Sequence, residues 1–272
     1  METLETKTII YDCNCPLCSL YTGVFLKVGI LGKNGRVSFE QANPELLEKL
    51  DLTRARHEIP LVDTATGEIL YGLDGLCLIV GNMVPVLKPI ITTGWFKKGM
   101  RPVYNFISYN RRIIAGSPQS QTGFNCTPDF NLKQRVALIT GGISFTGLGI
   151  YVFGVITGIS NIPLLFAMVT LYFLLLLTTN LVSHTSNEMK WDYLGHLAVL
   201  GIIESTLFMS TALLSKAFAL PGLLFAAQGA CRLYALWLHE KRVENNGFSK
   251  NLNYAFGFGA VVLIFYLAVV LR

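Results

Sequence analysis

The stretch from Val136 to Asn187 contains no aspartate, glutamate, lysine or arginine, and it includes the run Ile162–Val182, IPLLFAMVTLYFLLLLTTNLV. A helix needs about 20 mainly apolar residues to cross the hydrocarbon core of a bilayer. The stretch is long enough for two such helices, and it therefore predicts a membrane protein.

Further apolar stretches follow on the C-terminal side of this run. Together they predict five membrane spans. A short connection, Ser215-Lys216-Ala217, separates the third from the fourth, and these two could instead form one re-entrant feature, which would leave four spans. The predicted spans are Val136–Ile156, Ile162–Val182, Tyr193–Leu214, Phe218–Leu238 and Leu252–Leu271.

The part of the chain before these spans has a different composition. Charged residues make up 14% of the 272 residues, against roughly 25% in an average soluble domain. Residues 1–135 hold 15 of the 22 Lys/Arg and 12 of the 17 Asp/Glu. We therefore predict a soluble domain at 1–115, a juxtamembrane linker at 116–134 and a transmembrane domain at 135–272. The net charge of +5, without a basic stripe, predicts no nucleic-acid partner.

Positive residues at the span ends predict the orientation. Cytoplasmic loops carry an excess of Lys and Arg. If the N-terminal side of the first span is inside, most of the later basic residues are inside as well. We therefore expect an integral protein of the bacterial inner membrane with its N-terminal domain in the cytoplasm. The basic residues that flank the first span are Arg111, Arg112, Lys133 and Arg135.

The soluble part alternates between strand and helix patterns. Residues 6–12 and 36–41 are rich in β-branched and alternating apolar residues, and each is followed by a helix that opens with a proline. Residues 60–64 and 68–72 predict a hairpin, and 73–82 predict a further helix. The order β-α-β-α-β-β-α is that of a minimal thioredoxin-like domain. The predicted fold is thus an α/β thioredoxin-like N-terminal domain plus an all-α polytopic bundle of about five transmembrane helices.

The first strand–helix junction carries the strongest chemical motif, Asp12-Cys13-Asn14-Cys15-Pro16-Leu17-Cys18. Cys15 falls at the start of the helix, where unpaired N–H groups and the helix dipole stabilise a thiolate. Cys18 follows one turn later, close enough to resolve a mixed disulfide. A C-x-x-C in this context predicts a redox pair.

The same residues resemble the opening of the DCC-type thiol-disulfide oxidoreductase family, also called domain of unknown function 393. A later segment that begins at Ile59-Pro60 looks like the middle of that family's domain. A further segment that ends at Tyr109-Asn110-Arg111-Arg112 looks like its end. The resemblance covers about residues 6–115 and implies a thioredoxin-like fold and dithiol/disulfide activity. It implies that Cys15 and Cys18 are the redox pair and that Asp12 is the motif acid. Thioredoxin-like proteins keep a cis-proline opposite the thiols, and we expect Pro60 to fill that place.

Cys13 departs from the family pattern, which usually has glycine there, and the result is C-x-C-x-x-C. Three close thiols, Cys13, Cys15 and Cys18, could bind a soft metal such as Cu(I) or Zn. Cys13 could also be a third redox partner. The sequence predicts no bound cofactor and leaves both a metal and a quinone open.

Two charges fall inside predicted spans, where charge is expensive. Glu204 lies in the third span and Arg232 in the fourth, at similar depths if the two helices run antiparallel. They predict an intramembrane ion pair, either structural or part of a proton or substrate path. His184, His196 and His239 fall near span ends, and we expect them to face the membrane interface.

These features predict a membrane-anchored thiol-disulfide oxidoreductase. Its partners would be a protein or small-molecule thiol or disulfide, the lipid membrane and a possible membrane-complex partner. Two alternatives remain open from the sequence. One is a soft-metal-binding or transport-associated membrane protein, and the other is a non-catalytic thioredoxin-like docking subunit.

Overall fold

The structure is a computed structural model that describes residues 3–117, 126–159, 161–218 and 221–270. The chain divides into two compact units, Met1–Gln134 and Arg135–Arg272. Residues 118–125 of the predicted linker lie outside the described residues.

The first unit contains four strands and six α-helices among its described residues. The predicted order is present, with a further short helix before the third strand. The strands are β1 (Lys7–Tyr11), β2 (Arg36–Ser38), β3 (Pro60–Asp63) and β4 (Ile69–Tyr71). The helices are α1 (Pro16–Lys27), α2 (Pro44–Glu48), α3 (Leu52–Ala55), α4 (Leu73–Met83), α5 (Lys88–Ile91) and α6 (Gly94–Ala115), with a 3₁₀ turn at Pro85–Leu87.

The four strands form one mixed sheet in the order β2-β1-β3-β4. β1 runs parallel to β2 and antiparallel to β3, and β3 runs antiparallel to β4. Side chains alternate across a strand. Ile9 and Leu61 accordingly pack in one apolar cluster with residues of α1 and α4, while Ile10 and Val62 pack in a second cluster. The two central strands are thus covered on both faces.

Helix α1 owes its bounds to local chemistry. Pro16 occupies its first turn, where the missing N–H costs nothing, and Cys15 caps it in an extended conformation. Gly29 follows the last turn with φ of +72°, a left-handed conformation that glycine adopts without strain. The start of α1 is therefore fixed next to the end of β1.

The second unit is helical: α7 (Leu132–Thr157, which begins in the first unit), α8 (Ile162–Val182), α9 (Asn187–Ala217), α10 (Pro221–Asn246) and α11 (Asn251–Val270). Within the described residues, four helices, α7, α8, α9 and α11, are long and apolar enough to cross a membrane. This is the composition of an integral membrane protein.

Helix α10 overlaps the predicted fourth span and is not one of these four helices, which are counted among the described residues only. It carries Gln228 and Arg232, and its last two turns are highly charged. The predicted third and fourth spans are nevertheless two separate long helices. Contacts of Gln228 with Thr211 and of Arg242 with His196 show that α10 runs antiparallel to α9.

Helices α7 and α9 approach closely through small residues. A Cβ atom added to Gly142 would lie 2.6 Å from the Cβ of Ala198, and one added to Gly149 would lie 2.6 Å from that of Ser205. Gly201 of α9 lies in the same way against Thr146. Small residues at such contacts let helix backbones pack closely in membranes, where no hydrophobic force drives them together.

Gly142→Ala tests this contact. We expect it to destabilise the protein by about 1–3 kcal/mol, because the new methyl group overlaps Ala198, including its backbone oxygen. Gly141→Ala is the matched control, since a Cβ at Gly141 meets no heavy atom within 4 Å. Thermal unfolding of the full chain in detergent measures both, and equal melting temperatures for the two variants would contradict the contact.

Candidate functional site

Cys15 and Cys18 lie together at the start of α1. The Cys18 backbone N–H donates a hydrogen bond to the Cys15 Sγ at 3.4 Å, so the sulfur caps the helix. Both residues are buried, with exposed fractions of 2% and 4%. All six cysteines lie in the described residues, and the structure contains no disulfide between them.

The two thiols are not equivalent. The pKa of Cys15 is lowered to about 7, mainly because the Cys18 thiol donates a hydrogen bond to it, with help from the Cys18 backbone N–H and the charge of Arg111. Burial opposes this shift. The pKa of Cys18 is raised, because the same hydrogen bond keeps its proton in place and because the side chain is buried. At neutral pH a substantial fraction of Cys15 is therefore a thiolate, beside a protonated Cys18 thiol.

Arg111 supplies the positive charge of this site. It lies on α6, is buried, and its Nη2 is 3.7 Å from the Asp12 Oδ2. The same nitrogen donates a hydrogen bond to the backbone oxygen of Cys126. The sequence predicts Arg111 as a flanking charge of the first span and as part of the segment that resembles the end of the family. It does not place Arg111 at the thiols, because only the tertiary fold brings α6 to them.

Asp12 is the acidic group of this site, beside Arg111. Burial raises its pKa, although Arg111 and the backbone N–H of Asn14, which donates to Oδ1 at 3.0 Å, oppose the shift. A carboxyl group of this kind can exchange a proton nearer to neutral pH than an exposed aspartate.

Cys13 does not join the other two thiols. It is exposed, whereas Cys15 and Cys18 are buried. Partial loss of water around its sulfur and the nearby Glu40 raise the pKa of Cys13. Among the described residues, no group of three or more His, Cys, Asp or Glu side chains is arranged to hold a metal ion. The metal alternative thus gains no support from the arrangement of these residues.

Pro60 begins β3 and pairs with Tyr71 across the hairpin. The described residues contain no cis peptide bond, so Ile59–Pro60 is trans and the expectation of a cis-proline was wrong. The Ile59 N–H donates to the Tyr104 hydroxyl at 3.3 Å, which ties α6 to the start of this strand. Sequence position alone does not determine the isomer of this bond.

The short segment 126–129 borders the thiol site. Thr127 and Pro128 line a small cavity together with Asp12, Cys15 and Arg111. The next residue, Asp129, lies 3.0 Å from the His57 Nε2 and 3.7 Å from the Arg56 guanidinium. Cys126 is itself buried, and burial raises its pKa to about 12. It is therefore a protonated thiol at neutral pH.

In the second unit, the structure brings Glu204 and Arg232 together. The Arg232 Nη1 donates to the Glu204 Oε1 at 2.8 Å, and both side chains are largely buried. His196 and His239 are also buried rather than at the interface: His196 contacts Arg242 and His239 contacts Tyr193. His184 is exposed. The sequence did not predict the burial of His196 and His239, because only the packing of α9 on α10 encloses them.

No family model, curated protein or solved structure matches the chain.

The pKa of Cys15 predicts the pH dependence of its alkylation. Since only the thiolate reacts, we expect the rate with iodoacetamide to rise as pH rises through about 7, rather than through about 8.5 as for an ordinary cysteine. Mass spectrometry of the Cys15 peptide across pH 5 to 10 measures the midpoint. A midpoint at or above the ordinary value would contradict the activation of this thiol.

Arg111→Gln tests the electrostatic contribution of α6. Removing the positive charge should raise the Cys15 pKa and move the alkylation midpoint upward, because the charge of Arg111 lowers that pKa. Lys98→Gln, an exposed position on the same helix, is the matched control. Equal midpoints in the two variants would show that Arg111 does not act on the thiol.

Proposed function

We propose that this protein is a membrane-anchored thiol-disulfide oxidoreductase. The observation that carries the proposal is the Cys15 thiolate at the start of α1, with the protonated Cys18 thiol beside it. An activated thiolate next to a second thiol is the arrangement that dithiol/disulfide exchange requires.

In the proposed reaction the Cys15 thiolate attacks a substrate disulfide. A Cys15–substrate S–S bond forms, the substrate disulfide breaks, and one substrate sulfur leaves as a thiolate. The Cys18 thiol then gives up its proton, for which the partly buried Asp12 carboxylate is the proposed acceptor, and the resulting thiolate attacks the Cys15 sulfur. A Cys15–Cys18 disulfide forms and the second substrate thiol is released, so two electrons have passed to the substrate. The reverse sequence oxidises a dithiol.

The sheet supports a thioredoxin-like interpretation of the first unit. A central β1 parallel to β2, followed by the antiparallel β3–β4 hairpin and α4, is the arrangement expected of a minimal domain of this kind. We infer membership of the DCC-type family from the motif around Asp12, Cys15 and Cys18 alone. The proposal needs no cofactor for the exchange step, since both electrons reside on the two sulfurs.

The four apolar helices support attachment to a membrane. We propose that the first unit faces the cytoplasm of a bacterial cell and that the membrane is the inner one, on the basis of the positive residues near the first span. The substrate class is a protein or small-molecule thiol or disulfide, and the second unit offers a surface for a membrane-complex partner.

Trapping of the mixed disulfide tests the proposal. In membranes that contain the full chain, Cys18→Ser should accumulate covalent adducts through Cys15, because the resolving thiol is missing. The double variant Cys15→Ser, Cys18→Ser should lose these adducts, and Cys77→Ser, a buried cysteine of α4, should behave as the wild type. Non-reducing gels with mass mapping provide the readout.

Mapping of cysteine oxidation in membranes poised at several redox potentials completes the test. A reversible Cys15–Cys18 disulfide is expected. If both thiols stay reduced under the most oxidising condition, the redox function is wrong and the docking alternative takes its place. Stoichiometric binding of Cu(I) or Zn that is lost in Cys13→Ser would favour the metal alternative.

A further inference from the structure

A cavity of about 310 Å³ lies inside the second unit, with walls from α7, α8, α9, α10 and α11. Most of its lining is apolar, including Phe153, Phe173 and Leu200. This volume is at the lower end of the range for pockets that bind small molecules. An apolar enclosure of this kind suits a hydrocarbon chain.

One wall of the cavity is polar because Glu204 and Arg232 line it. The Arg232 side chain is only 6% exposed, and its Nη1 bonds to Glu204. Its Nε is buried and has no hydrogen-bond partner. A guanidinium carries five N–H donors, and a buried donor without an acceptor is costly. Arg232 therefore brings to the wall of the cavity a guanidinium whose hydrogen-bonding capacity Glu204 does not use up.

The charge of this wall favours an uncharged ligand. Glu204 and Arg232 carry opposite charges at 2.8 Å and compensate each other. An anionic headgroup beside this pair would also lie close to the Glu204 carboxylate, and in apolar surroundings that repulsion is strong. A neutral carbonyl oxygen accepts the free hydrogen bond without this cost.

The rim of the cavity indicates the route of entry. Ile143 of α7 is 49% exposed, and Thr170 of α8 is exposed as well. Both belong to helices that are apolar enough to span a membrane. In a bilayer, exposed residues of such helices lie against the hydrocarbon, so a ligand with an apolar chain can reach this rim laterally.

We propose that this cavity binds a neutral amphiphile, namely a carbonyl group on a long apolar chain, with the carbonyl oxygen accepting a hydrogen bond from Arg232. Acyl-ester lipids and quinones with a hydrocarbon tail share this chemistry. The site is independent of the thiol chemistry of the first unit, because all its lining residues belong to the second unit.

Binding of two radiolabelled probes to the immobilised full chain in maltoside detergent tests the site. The probes are monoolein, an acyl ester, and decyl-benzoquinone, and oleyl phosphate serves as an anionic competitor. We expect saturable binding of at least one neutral probe. Binding of monoolein alone identifies acyl lipid as the source, binding of decyl-benzoquinone alone identifies quinone, and binding of both supports the shared chemistry.

Gly147→Leu fills the cavity and leaves the ion pair in place. Gly147 lines the cavity, and a Cβ there meets only the Phe166 ring, at 3.8 Å. We expect at least tenfold weaker binding. Gly141→Leu, which adds the same side chain to the same helix where nothing lies within 4 Å, should bind within twofold of the wild type.

The double variant Glu204→Leu, Arg232→Met removes the donor without leaving a single buried charge and without adding an amide donor to this wall. It should weaken binding about tenfold or more, which is the effect of losing a hydrogen bond to a charged group. Elution of each variant as a single species on size exclusion checks its fold. The proposal is overturned if neither neutral probe binds saturably, if the two leucine variants bind alike, or if oleyl phosphate binds more tightly than both neutral probes.

Discussion

Pairing of buried charge is the constraint on which both units of this protein depend. Removing an arginine from water is expensive unless a partner compensates the charge. Three buried arginines pair with a carboxylate, Arg111 with Asp12, Arg135 with Asp192 and Arg232 with Glu204, and a fourth, Arg242, contacts His196 through a hydrogen bond. The first joins α6 to the start of α1, the second joins α7 to α9, and the last two join α9 to α10. Each contact selects one register between its elements, because a shift by one residue would leave a buried charge without its partner.

The local structure of the first unit could be predicted from the sequence because its signals are local. Alternation in Lys7–Tyr11 and the prolines at Pro16 and Pro44 act within a few residues of themselves, and the structure places strands and helices there. The position of Cys15 at a helix start follows from the same signals. No comparable pattern marks the short helix Leu52–Ala55, which the prediction lacked.

The remaining features depend on contacts between residues far apart in the chain. The approach of Arg111 to Cys15 joins positions almost 100 residues apart, and basic residues before a span have a simpler explanation as flanking charges. The burial of His196 and His239 follows from the packing of α9 on α10. The contacts of Gln228 with Thr211 and of Arg232 with Glu204 depend on the same packing.

Because Cys15 is buried, its observed reaction rate depends on two quantities: the intrinsic reactivity of the thiolate and the accessibility of the sulfur. A sulfur in a residue that is 2% exposed meets a large substrate only when its surroundings open, so its observed rate is the fraction of time spent open multiplied by the rate of the open thiolate. The two factors respond to different parts of the molecule. Arg111 and Cys18 set the chemistry of the sulfur, whereas the contacts of Asp129 with His57 and Arg56 hold the neighbouring segment in place. In the proposed function, burial therefore limits how often Cys15 meets a disulfide, and the electrostatics of the site set how fast it reacts once it does.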